Sequence, residues 1–240
     1  QNQKHVRDFL DLPFRIYRDI PQWVPPLQME ARAMLDMRRN PFYAHSQAAF
    51  FLAFASPEAP PGGRLAVLNN AHYNAFNHER TAFFYLFECE DRAQTAAALF
   101  EAGCAWARRQ NLDQMIGPKG FTALDGMGLL VKGFEHRPAF GIPYNPAYYP
   151  ALVEAAGFLP YDDTVSGYLN PQTPFPEKIH QVSGLVQQRR GLRVQNFENR
   201  RDLRRLVPRL RELYNGALEG TQGNVPLTER EAATLAKQLL

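Results

Sequence analysis

A continuous apolar run followed at once by an alanine-rich helical pattern constrains the fold of this chain more than any other feature. Residues Thr81–Cys89 are apolar or aromatic almost throughout, which is typical of a strand buried on both faces. The apolar side chains that follow recur every three or four residues, which predicts a helix over about Asp91–Gln110. A second apolar stretch, Gln114–Gly117, comes next. Strand, helix and strand in this order predict a parallel crossover.

The flanking segments carry further helical and strand patterns. Helices are predicted over Val6–Tyr17, with a kink at Pro13, and over Gln28–Met37. Two strands, Gln47–Ala55 and Arg64–Asn69, flank a proline- and glycine-rich turn and therefore form an antiparallel hairpin. The remaining predicted elements are a polar loop at 70–80, a helix from Asn145 to Gly157, a strand Thr164–Leu169, a helix Pro176–Arg190 and a strand Leu192–Phe197. The predicted class is mixed α/β.

Length and composition exclude several classes of protein. The 240 residues are 45% hydrophobic with a net charge of +3, which allows a sizeable core and argues against disorder. No apolar run approaches the 18 or more residues of a membrane span, and the first residues lack the apolar centre of a signal peptide. The two cysteines, Cys89 and Cys104, lie in apolar segments, which is typical of reduced thiols. A soluble protein in the cytoplasm is expected.

A weak internal repeat predicts how the chain is divided. Ile16-Tyr17 followed by Val24–Leu27 recurs as Leu213-Tyr214 followed by Val225–Leu227. The prediction is a first unit at 1–175 that lacks its opening strand, a connecting helix at 176–190, and the opening strand and helices of a second unit at 191–240. Together with the initial Gln, this suggests a window from a longer tandem protein. The strand at 192–197 is then expected to pair with the first unit or, by strand exchange or in a homodimer, with another copy.

Short motifs spread over nearly the whole chain carry a family resemblance. They are Phe14-x-x-Tyr17, Trp23–Leu27, Asn40–Phe42, Gly63-Arg64, Phe87-Glu88, Gly117-Pro118, Gly128–Leu130, Gly133-Phe134, Tyr144–Tyr149 and Gly157-Phe158. This series resembles an uncharacterised bacterial family of the GNAT (acyl-CoA N-acyltransferase) superfamily, whose members look like two GNAT units in tandem. The resemblance implies a mixed, mostly antiparallel sheet flanked by helices. It also implies N-acyl transfer to an unknown small amine from acetyl-CoA or another acyl-CoA, without a metal.

The resemblance implies where the acyl-CoA would bind. In the superfamily, the backbone of the central strand pairs with the pantetheine arm, and the diphosphate lies on N–H groups at the start of the next helix. The corresponding cofactor-binding residues are Phe87, Cys89, Arg92, Ala93, Gln94 and Asn145. The turn before the helix departs from the superfamily pattern because it has no glycine. Three carboxylates, on Glu88, Glu90 and Asp91, lie beside the expected diphosphate, and only Arg92 offsets them. The alternative is therefore a GNAT-like module without acyl-CoA binding that serves as a scaffold or as an acceptor- or partner-binding unit.

The resemblance also implies catalytic and acceptor-binding residues. Glu88, at the end of the central strand, is the candidate general base, although a carboxylate there would equally suit the start of a helix. In the superfamily, a tyrosine usually serves as the general acid for the departing thiolate. Val153 occupies that position here, so Tyr149, one helical turn earlier, is the candidate acid. Aromatic residues that would line the acceptor pocket are Trp23, Tyr144 and Tyr148, for which core packing is an equal explanation.

Two other clusters have plainer explanations. His45, His72 and His78 lie at spacings that match no metal signature, which favours a polar loop. Nine arginines lie between Arg189 and Arg211, but leucines recur among them at helical spacing. The arginines are therefore predicted to form the solvated side of an amphipathic helix, with neither nucleic acid nor a membrane as partner.

Overall fold

A mixed four-stranded sheet forms the centre of the described chain. The computed structural model describes residues 2–122, 125–170, 172–191, 199–221 and 223–239. The strands in this part of the chain are β1 (Gln47–Phe54), β2 (Pro61–Asn69), β3 (Thr81–Cys89) and β4 (Gln114–Ile116), and they lie in the order β1-β2-β3-β4. β1, β2 and β3 are antiparallel, and β4 runs parallel to β3. The predicted hairpin, parallel crossover and mostly antiparallel sheet are thus confirmed.

Helices cover the sheet and continue beyond it. They are α1 (Gln3–Ile16), α2 (Gln28–Leu35), α3 (Ala71–Asn77), α4 (Ala93–Arg109), α5 (Tyr149–Ala155), α6 (Glu177–Arg190), α7 (Arg200–Ala217) and α8 (Glu229–Leu239), with a 3₁₀ turn at Pro41–Ala44. Asn2 caps α1 by accepting the N–H of Lys4, and α1 includes Pro13. The helices predicted around α1, α2, α4 and α6 are confirmed with ends that differ by a few residues.

β3 is buried on both faces, as its apolar run predicts. On one face, Phe84 and Phe87 pack with Phe100 of α4. On the other face, Phe83 packs edge-on against Tyr73 of α3. The strand therefore forms the centre of two hydrophobic clusters and is held rigidly up to its carboxyl end.

The segment expected to be a polar loop is instead the helix α3. Asn70 caps this helix by accepting the backbone N–H of Tyr73 at 2.9 Å. Asn74 ties it to the sheet by donating to the carbonyl of Thr81 at 3.0 Å and accepting the N–H of Thr81 at 2.9 Å. The prediction was wrong because the helix depends on these capping and cross-chain bonds rather than on an apolar stripe.

The helix expected from Asn145 begins four residues later, at Tyr149. Asn145 is buried, and its side chain accepts the N–H of Leu130 at 2.6 Å and donates to the carbonyl of Leu130 at 3.1 Å. It therefore anchors the preceding loop instead of capping a helix. The predicted end is confirmed, because Gly157 has a φ of 94° directly after the helix.

The strand predicted at Thr164–Leu169 is wrong, because these residues form no strand and pair with none of the described strands. Val165 is 97% exposed and Leu169 is 83% exposed. An alternating pattern alone cannot supply the neighbouring strand that completes a ladder. The strand predicted at Leu192–Phe197 lies outside the described residues. Its pairing and the unit boundaries at 175 and 190 stay predictions.

None of the helices in the described ranges combines the length and the apolar composition that crossing a membrane requires.

Candidate functional site

A bulge near the end of β3 positions Glu88. Ala66 pairs with Tyr85 and Arg64 pairs with Glu88, so two residues of β3 oppose the single residue between Arg64 and Ala66. At the bulge, Leu86 adopts a left-handed conformation with a φ of 52°. Because a bulge re-aims the side chains that follow it, Glu88 comes to lie beside Arg64 on the side of the sheet covered by α1.

Glu88 and Arg64 form a buried ion pair. Nη2 of Arg64 lies 3.5 Å from Oε1 of Glu88, and the two side chains are 7% and 13% exposed, respectively. The guanidinium is fixed by donating to the carbonyl of Phe9 at 2.6 Å, and it lies 4.9 Å from the Phe9 ring centre. Its Nε is buried and has no hydrogen-bond partner in the described part of the chain. Burial raises the pKa of Glu88, with Arg64 opposing the shift, and burial lowers the pKa of Arg64.

Tyr149 and Tyr148, at the start of α5, bind the end of β3. The Tyr149 hydroxyl donates to Oε2 of Glu88 at 2.7 Å and accepts the N–H of Cys89 at 2.9 Å. The Tyr148 hydroxyl donates to the carbonyl of Cys89 at 2.9 Å. Burial raises the pKa of Tyr149, and the Glu88 carboxylate raises it further. Both backbone groups of Cys89 are thus occupied, so a pantetheine arm that paired with Cys89 would have to displace these hydroxyls.

Tyr17, Trp23 and Tyr144 form an aromatic wall beside Glu88. The Trp23 ring stacks on Tyr17 with 4.6 Å between centres and an angle of 9°. Tyr17 donates to the carbonyl of Tyr144 at 3.2 Å, and the Tyr144 hydroxyl donates to the carbonyl of Phe134 at 2.8 Å. Burial, and then the nearby Glu88 carboxylate, raise the pKa of Tyr17. The wall therefore joins the end of α1 to the loop before α5.

The carboxylate of Glu90, in the turn before α4, forms ion pairs with two arginines. Nη1 of Arg15 lies 2.7 Å from Oε1 of Glu90, and Nε of Arg92 lies 3.7 Å from Oε2 of the same side chain. The expectation that only Arg92 offsets the acidic turn is therefore wrong, because α1 supplies Arg15 and β2 supplies Arg64. These cations lie far away in sequence. The packing of α1 on the sheet brings Arg15 to Glu90, and the pairing of β2 with β3 brings Arg64 to Glu88.

The other predicted cofactor residues have varied surroundings. Ala93 and Gln94 are exposed and form the first two positions of α4. Phe87 is buried and packs against Phe100, with 4.9 Å between ring centres. Asn145 is engaged with the loop before α5, as described above. The structure thus groups the predicted residues Glu88, Cys89, Tyr148 and Tyr149, and places Asn145 in a loop-anchoring position.

Sequence reasoning missed two residues of this cluster, Arg64 and Tyr17. Arg64 is the single charged residue within the otherwise apolar or small sequence of β2. A charge at a central strand position is rarely buried without a partner, and that signal could have identified it. Tyr17 was noted only as a repeated motif position, and its contact with the site depends on the path of α1.

Within the described ranges, no cluster of three or more His, Cys, Asp and Glu side chains is arranged to hold a metal ion. At the site itself, a buried carboxylate is hydrogen-bonded to a tyrosine hydroxyl, an arrangement suited to proton transfer.

Two bacterial proteins are similar to this chain in sequence. No protein-family model matches the chain. Protein YghO of Escherichia coli (strain K12) is 27% identical over 243 residues, which cover 99% of this chain and 60% of that protein. A Caulobacter vibrioides protein named bacterial ceramide synthase is 28% identical over 244 residues, which cover 98% of this chain and 60% of that protein. The chain thus spans about 60% of the length of the curated relatives it matches.

One solved structure, described as a probable acetyltransferase, is 14% identical and covers 73% of this chain and 97% of its own chain, with a TM-score of 0.39. A structural similarity with this TM-score does not assign the fold. The sequence relatives are both bacterial, and one of them carries the name of a ceramide synthase.

Proposed function

We propose that this chain carries a GNAT-like site for N-acyl transfer from an acyl thioester of coenzyme A to an amine. The observation that carries the proposal is the hydrogen bond of 2.7 Å between the Tyr149 hydroxyl and Oε2 of Glu88. It joins a candidate base and a candidate acid at the end of the central strand. The relative named bacterial ceramide synthase supports the reaction class, because a ceramide is an amide of a fatty acid and a long-chain amino alcohol.

In such a transfer, the attacking nitrogen loses a proton and the departing sulfur gains one. Glu88 suits the first role because burial raises its pKa and makes its carboxylate a stronger base. Tyr149 suits the second role because its raised pKa keeps the hydroxyl protonated until the sulfur leaves. Glu88 then returns the nitrogen's proton to Tyr149 along the hydrogen bond between them. The pair ends in its starting protonation state, and the acyl thioester supplies the activated carbon.

The acceptor is proposed to lie against the aromatic wall of Tyr17, Trp23 and Tyr144. Phe14, beside Trp23, is 38% exposed, and Ile142, two residues before Tyr144, is 45% exposed. An apolar rim of this kind favours an amine with a hydrocarbon chain over a highly polar one. We therefore expect activity to rise with the chain length of the amine.

The test is amide formation by this chain with acetyl-CoA and a long-chain acyl-CoA, and with amines of increasing chain length, followed as released thiol. Replacement Glu88→Gln removes the base and keeps the shape, so turnover is expected to fall by about 10²-fold or more. Glu58→Gln, at an exposed turn, is the matched control and retains full turnover. Unchanged turnover in the Glu88→Gln chain would exclude Glu88 as the base, and no thiol release by the unaltered chain would reject the reaction.

One observation favours a second candidate function, a GNAT-like module that binds an acceptor or partner without acyl-CoA. Both backbone groups of Cys89 are bonded to tyrosine hydroxyls, and both arginines nearest the α4 turn are paired with Glu90. The thermal stability of the chain separates the two candidates. A ligand at 100 times its dissociation constant adds about 2.7 kcal/mol. A rise in melting temperature with acyl-CoA supports the transferase, and no rise with either acyl-CoA supports the module.

A further inference from the structure

A cleft at the other end of β3 holds an extended segment of the same chain, residues 223–228. Side chains of α3 and of the loop after β4 bind main-chain carbonyls of this segment. The contacts are His72 Nε2 to Pro226 O at 3.0 Å, Asn77 Nδ2 to Asn224 O at 3.0 Å and Lys119 Nζ to Gly223 O at 2.7 Å. Val225 packs against the apolar cluster on this face of the sheet. The cleft therefore binds the segment mostly through main-chain carbonyls, so binding depends little on the side chains of the segment.

One carboxylate fixes the register of the docked segment. Oε1 of Glu231, in α8, lies 3.3 Å from Nε2 of His45. Its Oε2 accepts the N–H and the hydroxyl of Thr228, both at 2.8 Å. Glu231 is buried although it lies close to a chain terminus in sequence. The recognised pattern is thus an extended segment of about five residues followed by a glutamate in the first turn of a helix.

The same pattern occurs at the start of the chain. α1 ends at Ile16 and α2 begins at Gln28, while α7 ends at Ala217 and α8 begins at Glu229. Both connections therefore contain 11 residues, at 17–27 and 218–228. At this spacing, four residues are identical, namely Val24 and Val225, Pro25 and Pro226, Glu30 and Glu231, and Ala31 and Ala232.

The first of these two segments has no cleft around it. Leu27 is 53% exposed and Met29 is 78% exposed. No hydrogen bond or ion pair joins the Glu30 side chain to any other described residue. Its counterpart Glu231 is buried against His45. The two segments differ in the presence of a partner surface and in the residue before the helix, because Leu27 stands where Thr228 binds Glu231.

We propose that residues 24–31 form a docking element for a second unit of this same fold, seated in a cleft like the one that holds residues 223–231. Residues 24–31 contain the two features that the cleft binds, namely the main chain around a Val-Pro pair and a glutamate in the first turn of a helix. The cleft of each copy holds its own residues 223–231, so residues 24–31 of one copy enter the cleft of a second copy by displacing that copy's docked segment. Two units that exchange equivalent elements form a two-fold contact in which each surface is used twice.

The first test is a graft in the full chain. Residues 225–232 are replaced by the sequence of residues 24–31 except that Thr228 is kept, so that the glutamate at position 231 retains its two bonds from Thr228. Amide hydrogen exchange of α8 is expected to stay within about threefold of the unaltered chain. The same graft with lysine in place of that glutamate is the matched control, and its exchange is expected to rise by about tenfold or more, because a charged hydrogen bond is lost. Equal exchange in the graft and the control would show that residues 24–31 do not fit the cleft.

The second test asks whether the partner is another unit of this fold. A chain with Glu231→Lys has a weakened docked segment and therefore an available cleft. Mixed with the unaltered chain, it is expected to form a complex of two chains in sedimentation analysis. The same mixture with Glu30→Lys added to both chains is expected to contain single chains only, because neither chain then carries an intact element. Single chains in both mixtures, or complexes in both, would overturn the proposal.

Discussion

Two buried glutamates, one near each end of β3, have pKa values that are shifted in opposite directions. Burial raises the pKa of Glu88 in spite of the neighbouring Arg64. Burial also acts to raise the pKa of Glu231, but hydrogen bonds from His45 and Thr228 outweigh it and lower the pKa from 4.5 to about 2. Both carboxylates lie beside a cationic or ionisable side chain, so the presence of such a partner alone does not decide whether the carboxyl pKa rises or falls.

The balance between desolvation and hydrogen bonding explains the difference. Glu231 accepts the backbone N–H and the hydroxyl of Thr228 besides its contact with His45, and together these outweigh its burial. Glu88 accepts the Tyr149 hydroxyl and also has Tyr17 and Arg64 beside it, but its burial outweighs all three. Hydrogen bonds to the ionised form lower a carboxyl pKa, and desolvation raises it. Glu231 thus stays ionised and anchors the docked segment 223–228, whereas Glu88 can take up a proton.

The largest expected effect comes from removing the cation beside Glu88. Arg64→Met leaves a buried carboxylate without its ionic partner, which costs about 3 kcal/mol of unfolding free energy at pH 7. The loss is smaller at pH 4, because a protonated Glu88 needs no counter-charge. Urea unfolding at both pH values measures it, and the double variant Arg64→Met with Glu88→Gln is the control. A loss that is equal at both pH values would show that packing against Phe9, and not charge, is what Arg64 supplies.

Replacing Tyr149 has the next largest effect on this site. Tyr149→Phe removes the donor to Glu88 and leaves the N–H of Cys89 buried without its partner, at a cost of about 1–3 kcal/mol. It is also expected to reduce thiol release by about 10²-fold if Tyr149 is the acid. Tyr148→Phe, which loses only the bond to the Cys89 carbonyl, is the matched comparison. Equal turnover in the two variants would remove Tyr149 from the proton path.

The two glutamates are also expected to give opposite pH dependences of stability. The folded chain keeps a proton on Glu88 to higher pH than the unfolded chain does. Its contribution to unfolding free energy therefore falls as the pH rises above 4.5. Glu231 stabilises fully above its ordinary value of 4.5, and this contribution is lost as the pH falls towards 2. Unfolding free energies of the unaltered, Glu88→Gln and Glu231→Gln chains across this range measure both slopes, and slopes of the same sign would contradict the comparison.

The parts of the fold that depend on local pattern were predictable from the sequence. The apolar run of β3 and the alanine-rich stripe of α4 specify their elements directly, and the chain order of strand, helix and strand specifies their parallel pairing. Glu88 and Tyr149 were identified through the resemblance, because both lie in its motifs. Their hydrogen bond was not predictable, since it depends on the bulge at Leu86 and on where α5 begins.

The remaining features depend on contacts between distant segments. Arg15 and Tyr17 reach the site only because α1 crosses the sheet, and Arg64 reaches it through the pairing of β2 with β3. Periodicity carries no information on either arrangement. Similarly, His45 was considered for a metal site, whereas its partner is Glu231, 186 residues away along the chain. Sequence spacing identifies clusters within one element, but not a clamp made by two elements so far apart.

The smallest predicted effect lies at the anchoring glutamate. His45→Gln removes the contact to Oε1 of Glu231, but the two bonds from Thr228 to Oε2 remain. The expected cost is about 1 kcal/mol of unfolding free energy, well below that of Arg64→Met, because the carboxylate keeps other donors. Urea unfolding measures it, with His136→Gln as the control at an exposed position. A cost equal to that of Arg64→Met would mean that Glu231 depends on the contact with His45 as Glu88 depends on Arg64, and the contrast between anchor and proton acceptor would then rest on burial alone.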